Sequence, residues 1–160
     1  MPTGRAAARR GLPVHEMLSV PPLIAVAVLV LNDHVLKQAC PGVWTGKLSD
    51  VAGLFYFPLF LTASARLIVG AARTLSGRPG GIPPLRRCHL LLAITATAAV
   101  FTAINLTPAA MAVWDAVLSW GWRSRGTVDP TDLLALPVLA LCWGWGLRHV
   151  EQPPTRSSAA

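Results

Sequence analysis

Long apolar stretches separated by short polar clusters dominate the chain. A membrane helix needs about 20 mainly apolar residues to cross a hydrocarbon core about 30 Å thick, and each stretch reaches or approaches that length. No stretch shows the alternating pattern of a transmembrane β-barrel strand. The pattern therefore predicts an all-α integral membrane bundle of four transmembrane helices, at residues 21–39, 50–72, 88–113 and 130–147.

Composition supports this class. Hydrophobic residues make up 53% of the 160 residues and charged residues 13%, whereas soluble domains carry about a quarter charged residues. A soluble enzyme and a disordered chain are thereby excluded. We expect residues 1–160 to form a single membrane domain with flexible cytoplasmic tails at 1–17 and 149–160. The N-terminal apolar run lacks a small-residue cleavage site, so we expect it to be a retained helix.

Basic residues predict the orientation and the partners. The net charge is +7, but the cations flank apolar segments, which favours membrane lipids as partners and disfavours nucleic acid. One predicted side holds nine Lys and Arg residues: Arg5, Arg9, Arg10, Arg73, Arg78, Arg86, Arg87, Arg148 and Arg156. The other side holds four: Lys37, Lys47, Arg123 and Arg125. The positive-inside rule then puts both termini in the cytoplasm of a multi-pass plasma-membrane protein.

Cysteine and histidine give no sign of a metal or cofactor. Cys40, Cys88 and Cys142 are scattered and lack the spacing of a zinc site or a disulfide framework. His34 is the one histidine on the predicted outer side. We therefore expect no metal site and no cofactor.

All five aspartates fall on the predicted outer side: Asp33, Asp50, Asp115, Asp129 and Asp132. Three of them follow the rules for helix starts. Ser49 and Asp50 would open the second helix, while Asp129 and Asp132 flank the first turn of the fourth. We expect these three carboxylates to cap helices, a role that is compatible with ligand contact.

Asp33 departs from those rules because it lies near the C-terminal end of the first helix, where the helix dipole disfavours a carboxylate. Lys37 can offset this through an i,i+4 pair, and His34 lies beside it. Ionisable groups at a membrane boundary usually face a bundle interior or a watery cavity. Both a functional pocket and a structural polar cluster remain open at this position.

Further expectations concern single side chains. Ser19 should cap the first helix, Arg66 should extend to the headgroups, and small residues along the third helix should make it the packing spine. The tryptophans should form two interfacial belts. Trp44, Trp114, Trp120 and Trp122 belong to the outer belt, and Trp143 and Trp145 to the inner one.

Two segments resemble VanZ-like membrane proteins of bacteria: KLSDVAGLFYFPLFL at 47–61 and RGTVDPTDLLA at 125–135. Gly46, Asp50 and Leu136 stand where that family has an acidic residue, a histidine and an asparagine. The run Asn32-Asp33-His34 is also similar to small bacterial membrane proteins without an assigned activity. The resemblance implies four membrane helices in a bacterial inner membrane and contact with glycopeptides or lipid-linked wall intermediates.

Three functions stay open. An envelope binding protein would use the polar residues of the outer side, namely Asp33, His34, Lys37, Lys47, Asp50, Asp115, Arg125, Asp129 and Asp132. A membrane enzyme acting on a lipid headgroup would use His34 as general base, oriented by Asp33 or Asp50. A structural subunit would use the same groups only to hold helices together. We favour the binding protein over the enzyme, and the oligomeric state is left open.

Overall fold

The structure, a computed structural model, describes residues 14–39, 42–78, 81–118 and 126–150. The helices in these ranges are α1 (His15–Leu18), α2 (Val20–Ala39), α3 (Val43–Leu75), α4 (Arg87–Leu106), α5 (Pro108–Leu118) and α6 (Pro130–Leu147). Four of them, α2, α3, α4 and α6, are long and apolar enough to cross a membrane. The predicted all-α class with four membrane-spanning helices is confirmed.

Helix α2 begins with Val20, Pro21 and Pro22, and the prolines cost nothing there because first-turn N–H groups have no partner inside the helix. The expected cap from Ser19 is wrong. Its hydroxyl instead donates to the Glu16 carbonyl, 3.2 Å away. Residues Asn32–Leu36 form a widened π-helical turn before the helix ends at Ala39.

Helix α3 is longer than the sequence indicated, with 33 residues beginning at Val43. The segment before residue 50, expected as a loop, forms its first turns. The hydroxyl of Thr45 accepts from the Gly42 N–H and donates to the Gly42 carbonyl, at 3.3 and 2.7 Å, which closes the start of the helix. The helix also continues through Pro58. Asp50 therefore lies two turns inside α3, and its predicted capping role is wrong.

The predicted third helix is two helices. Thr107 has extended backbone angles, with φ −128° and ψ 124°, and separates α4 from α5. Proline disfavours a helical conformation in the preceding residue, so Pro108 ends α4 at Leu106. The expectation of one helix over 88–113 is wrong for this reason.

Helix α6 starts as a tight 3₁₀ segment, Pro130–Ala135, and continues as an α-helix over Val138–Leu147. Asp129 precedes it, and its carboxylate accepts the Thr131 N–H at 2.9 Å. The predicted N-cap is confirmed.

Helix α3, rather than the third membrane helix, lies at the centre of the bundle and packs against α1, α2, α4 and α6. Two clusters of buried residues form its core: Leu54, Ala135 and Leu139, and Leu59, Leu90 and Cys142. The C-terminal end of α2 and the N-terminal ends of α3 and α6 meet at one end of the bundle, which we call the aspartate end. The opposite end, with Arg66, Arg73, Arg86 and Arg148, is the arginine end.

Parts of the segments expected as flexible tails are folded. Residues 15–18 form α1, and Glu16 within it is buried. His149 packs its ring on Trp145, with ring centroids 4.9 Å apart, and on His15 at 5.6 Å. Residues 1–13 and 151–160, the rest of the predicted tails, lie outside the described residues.

Candidate functional site

A hydrogen-bonded network joins α2 to α3 at the aspartate end. Asn32 is 0% exposed, and its amide Nδ2 donates to the Thr45 carbonyl at 2.6 Å and to Ser49 Oγ at 2.7 Å. Ser49 Oγ donates in turn to Asp33 Oδ1 at 3.1 Å. Lys37 completes the chain through a 2.7 Å ion pair with Asp33, as its i,i+4 spacing predicts. Ser49 thus serves as a link between helices instead of a cap.

The widened turn in α2 begins at the same asparagine. The Lys37 backbone N–H donates to the Asn32 carbonyl, five residues earlier, which inserts one extra residue into the turn. The side-chain Oδ1 of Asn32 is buried and has no hydrogen-bond partner among the described residues. An unpaired buried acceptor costs about 1–3 kcal/mol, and π-helical turns occur frequently at functional sites.

A second network joins α3 to the start of α6. Lys47 Nζ lies 3.1 Å from Asp132 Oδ1 and donates to Thr131 Oγ1 at 2.8 Å. Thr131 Oγ1 donates to Asp129 Oδ1 at 2.8 Å. The hydroxyl and the backbone N–H of Thr131 together hold the pKa of Asp129 below its ordinary value. Asp132 therefore binds a lysine of another helix, whereas the sequence predicted helix capping and ligand contact for it.

Asp50 lies between the two networks but belongs to neither. It makes no hydrogen bond or ion pair with any residue in the described ranges, although Lys47 lies one turn before it on the same helix. Buried or half-buried carboxylates in membrane helices usually pair with a partner or face a functional cavity. Asp50 faces a cavity.

The cavity is a groove of about 500 Å³ between α3 and α4. Ser49 and Asp50 lie at its polar end, and Trp114 of α5 lines it as well. The remaining wall is almost entirely apolar and consists of Gly53, Leu54, Phe57, Leu61, Ala96, Thr97, Val100, Phe101 and Ile104. Between residues 50 and 61 the helix rises about 17 Å, so the groove is about half as long as a bilayer core about 30 Å thick.

Several predicted site residues do not reach the groove. His34 is exposed, and within the described ranges its ring bonds to neither Asp33 nor Asp50. Asp115 of α5 accepts the Gly126 N–H at 3.0 Å. Arg125 lies outside the described residues, as do Trp120 and Trp122. Trp44 is 85% exposed, as an interfacial tryptophan would be.

The arginine end holds contacts that sequence reasoning missed. Arg66 was expected to extend to the headgroups, but its Nη1 pairs with the Glu16 carboxylate and its Nε donates to the Pro83 carbonyl at 2.6 Å. The Trp145 indole N–H donates to the Glu16 backbone carbonyl at 3.3 Å. The only cue in the sequence was that Glu16 and Arg66 carry opposite charges at the same predicted boundary.

No group of three or more His, Cys, Asp or Glu side chains in the described ranges is arranged to hold a metal ion. Searches with this chain found no matching family model, no matching curated protein and no matching solved structure. The site is thus defined by its own geometry: the carboxylate of Asp50, which has no partner among the described residues, lies between two hydrogen-bonded networks at the polar end of an apolar groove.

Proposed function

We propose that this protein is a membrane-embedded binding protein for an amphipathic ligand that carries an amine or another cationic group. The observation that carries the proposal is Asp50, a carboxylate without a cationic partner in the described structure, placed at the mouth of an apolar groove. The cation would pair with Asp50, and the apolar body would lie along Phe57 and Leu61. Ligand sites commonly combine an apolar wall with a few polar groups in this way.

The lysines favour a cationic ligand over a phosphate. Lys37 is paired with Asp33, and Lys47 is bound by Asp132 and Thr131. Using either lysine to bind a phosphate would require breaking its present ion pair. Asp50 has no such competing contact, so a cation can approach it without disturbing either network.

The proposal includes the location predicted from the sequence. The protein would lie in the inner membrane of a bacterium, with the aspartate end facing outwards and both termini in the cytoplasm. The grouping of arginines at the opposite end of the bundle supports that orientation. The VanZ-like resemblance adds that the ligand would be wall-related or lipid-linked.

Thermal unfolding in detergent with a long-chain alkylamine as the probe tests the binding function. A ligand that binds only the folded state raises the unfolding temperature by mass action. We expect a rise with dodecylamine and a much smaller rise with dodecanol or dodecyl phosphate, which share its chain. Asp50→Asn should abolish the difference, whereas Asp129→Asn should keep it because Asp129 does not line the groove.

A second variant tests the groove itself. Gly53 lines it, and a Cβ added there meets no atom within 4 Å, so Gly53→Leu should fill the groove without disturbing the core. We expect this variant to fold and to lose the alkylamine response. Equal responses to all three probes, or an unchanged response in both variants, would refute the proposal and favour a structural or an enzymatic role for the aspartate end.

A further inference from the structure

A second groove, of about 640 Å³, lies between α3 and α4 at the arginine end. The basic side chains that line it are Arg66, Arg73, Arg86 and His89, and its apolar wall includes Leu61, Val69 and Leu92. Leu61 and Ala96 line this groove and also the groove at the aspartate end. The two grooves therefore meet near the middle of the bundle, and each occupies about one half of its length.

The dimensions of this groove match one leaflet. Arg73 and Leu61 are separated by twelve residues of one helix, a rise of about 18 Å. Half of a bilayer core about 30 Å thick is about 15 Å. A groove that begins at Arg73 and ends at Leu61 thus extends from headgroup level to about the bilayer midplane, which is the span of one phospholipid.

Two of the three arginines at its mouth have no acidic partner in the described ranges. Arg66 is neutralised by Glu16, with side-chain exposures of 11% and 5%. Arg73 and Arg86 have no carboxylate partner among the described residues, and both are exposed. Two guanidinium groups beside an apolar channel are complementary to a phosphate that is attached to acyl chains.

The connection between α3 and α4 fixes this arrangement. Arg66 holds the Pro83 carbonyl, and Leu85, next to Arg86, is only 2% exposed. Ile82 packs on Gly70, where an added Cβ would lie 3.2 Å from the Ile82 Cα atom. The segment that carries Arg86 is thereby anchored against the helix that carries Arg73.

We propose that the groove at the arginine end binds one anionic phospholipid, with its phosphate between Arg73 and Arg86 and an acyl chain along Leu92 and Leu61. Basic pockets between membrane helices are known to hold anionic headgroups. This site is separate from Asp50 and does not depend on the function proposed for the aspartate end.

Native mass spectrometry of the full chain, released from detergent with equal amounts of phosphatidylglycerol and phosphatidylcholine of identical acyl chains, tests the proposal. We expect one phosphatidylglycerol to bind with about a tenfold preference, because each arginine near a phosphate favours the anionic lipid. Arg73→Gln combined with Arg86→Gln should remove the preference. Arg78→Gln combined with Arg148→Gln removes the same charge outside the groove and should leave it unchanged.

A steric variant and a competition experiment complete the test. Leu92→Trp should obstruct the acyl part of the groove without changing any charge, and it should also lower the occupancy of phosphatidylglycerol. Inorganic phosphate should not displace the lipid. Three results would overturn the proposal. An equal loss of preference in the Arg78 and Arg148 double variant would indicate attraction by general surface charge. Displacement by inorganic phosphate would indicate a site for free anions, and equal binding of the two lipids would indicate that the headgroup is not recognised.

Discussion

Arg66 and Glu16 form the most buried ion pair in the described structure, and at the scale of single residues its stability depends on both partners being present. Both side chains are largely removed from solvent, and each supplies the charge that the other requires. Removing one partner of a buried pair leaves an uncompensated charge and costs about 3–5 kcal/mol, whereas replacing both partners is often much less harmful.

A double-mutant cycle should show this asymmetry. We expect Glu16→Gln and Arg66→Met each to lower the free energy of unfolding in detergent by about 3 kcal/mol. The double variant should be more stable than the sum of the two single losses predicts. Additive losses would mean that the two side chains act independently.

Asp129 gives a pH-dependent prediction. Because Thr131 lowers the folded-state pKa of Asp129, the cap stabilises the protein above the ordinary carboxyl pKa, and this contribution is lost as the pH falls through the folded-state value. Thr131→Val should therefore reduce the loss of thermal stability between about pH 5 and pH 2. Thr127→Val, at an exposed threonine of the same segment, should leave the acid profile unchanged. If the thermal stability of the Thr131→Val protein fell with pH as steeply as that of the Thr127→Val protein, the prediction would be contradicted.

The candidate site could be predicted only in part. The i,i+4 pair of Asp33 and Lys37 follows from helix geometry alone, and so does the cap at Asp129. The link from Lys47 to Asp132 joins residues 85 positions apart, and no local pattern indicates such a contact. Asn32 was assigned no role because a single asparagine in an apolar run gives no periodic signal.

At the scale of helices, close packing between α4 and α6 depends on one glycine. A Cβ at Gly146 would lie 2.5 Å from Cδ2 of Leu90, and both Leu90 and its neighbour Cys142 are 0% exposed. Leu90 is therefore enclosed by protein and would have to repack within the core to accommodate a Cβ. Overpacking a core in this way costs about 1–3 kcal/mol.

Gly146→Ala should accordingly lower the free energy of unfolding in detergent by about 2 kcal/mol. Gly144 provides a matched control on the same helix, because an added Cβ there meets nothing within 4 Å. Gly144→Ala should be neutral or slightly stabilising, since alanine favours a helix more than glycine does. Equal effects of the two substitutions would contradict the packing argument.

Helix existence was easier to predict than helix ends. Apolar length alone predicted all four membrane-spanning helices, and the bounds of α2 and α6 agree with the sequence to within one residue. The start of α3 was misplaced because Gly42, Gly46 and Ser49 resemble a loop, while contacts with α2 stabilise a helix there. Pro108 indicated a helix end in the sequence, but the apolar residues that follow it suggested one continuous helix.

At the scale of the whole molecule, the aspartates and the arginines of the described ranges lie at opposite ends of one bundle. The two grooves between α3 and α4 share Leu61 and Ala96 at mid-depth, one with a carboxylate at its mouth and the other with guanidinium groups. Orientation in the membrane decides which leaflet each groove meets. The positive-inside rule predicts that the arginine end faces the cytoplasm, where anionic lipids attract basic residues.

Labelling of single cysteines in intact cells with a membrane-impermeant maleimide tests that orientation. Cys88 is free and exposed at the arginine end, and Gln38→Cys places a thiol at an exposed position of the aspartate end. With the other native cysteines replaced by serine, we expect Gln38→Cys to react in intact cells and Cys88 to react only after the membrane is permeabilised. The reverse pattern would show that the Asp50 groove faces the cytoplasm. Reaction of both thiols in intact cells would mean that the chain inserts in two orientations.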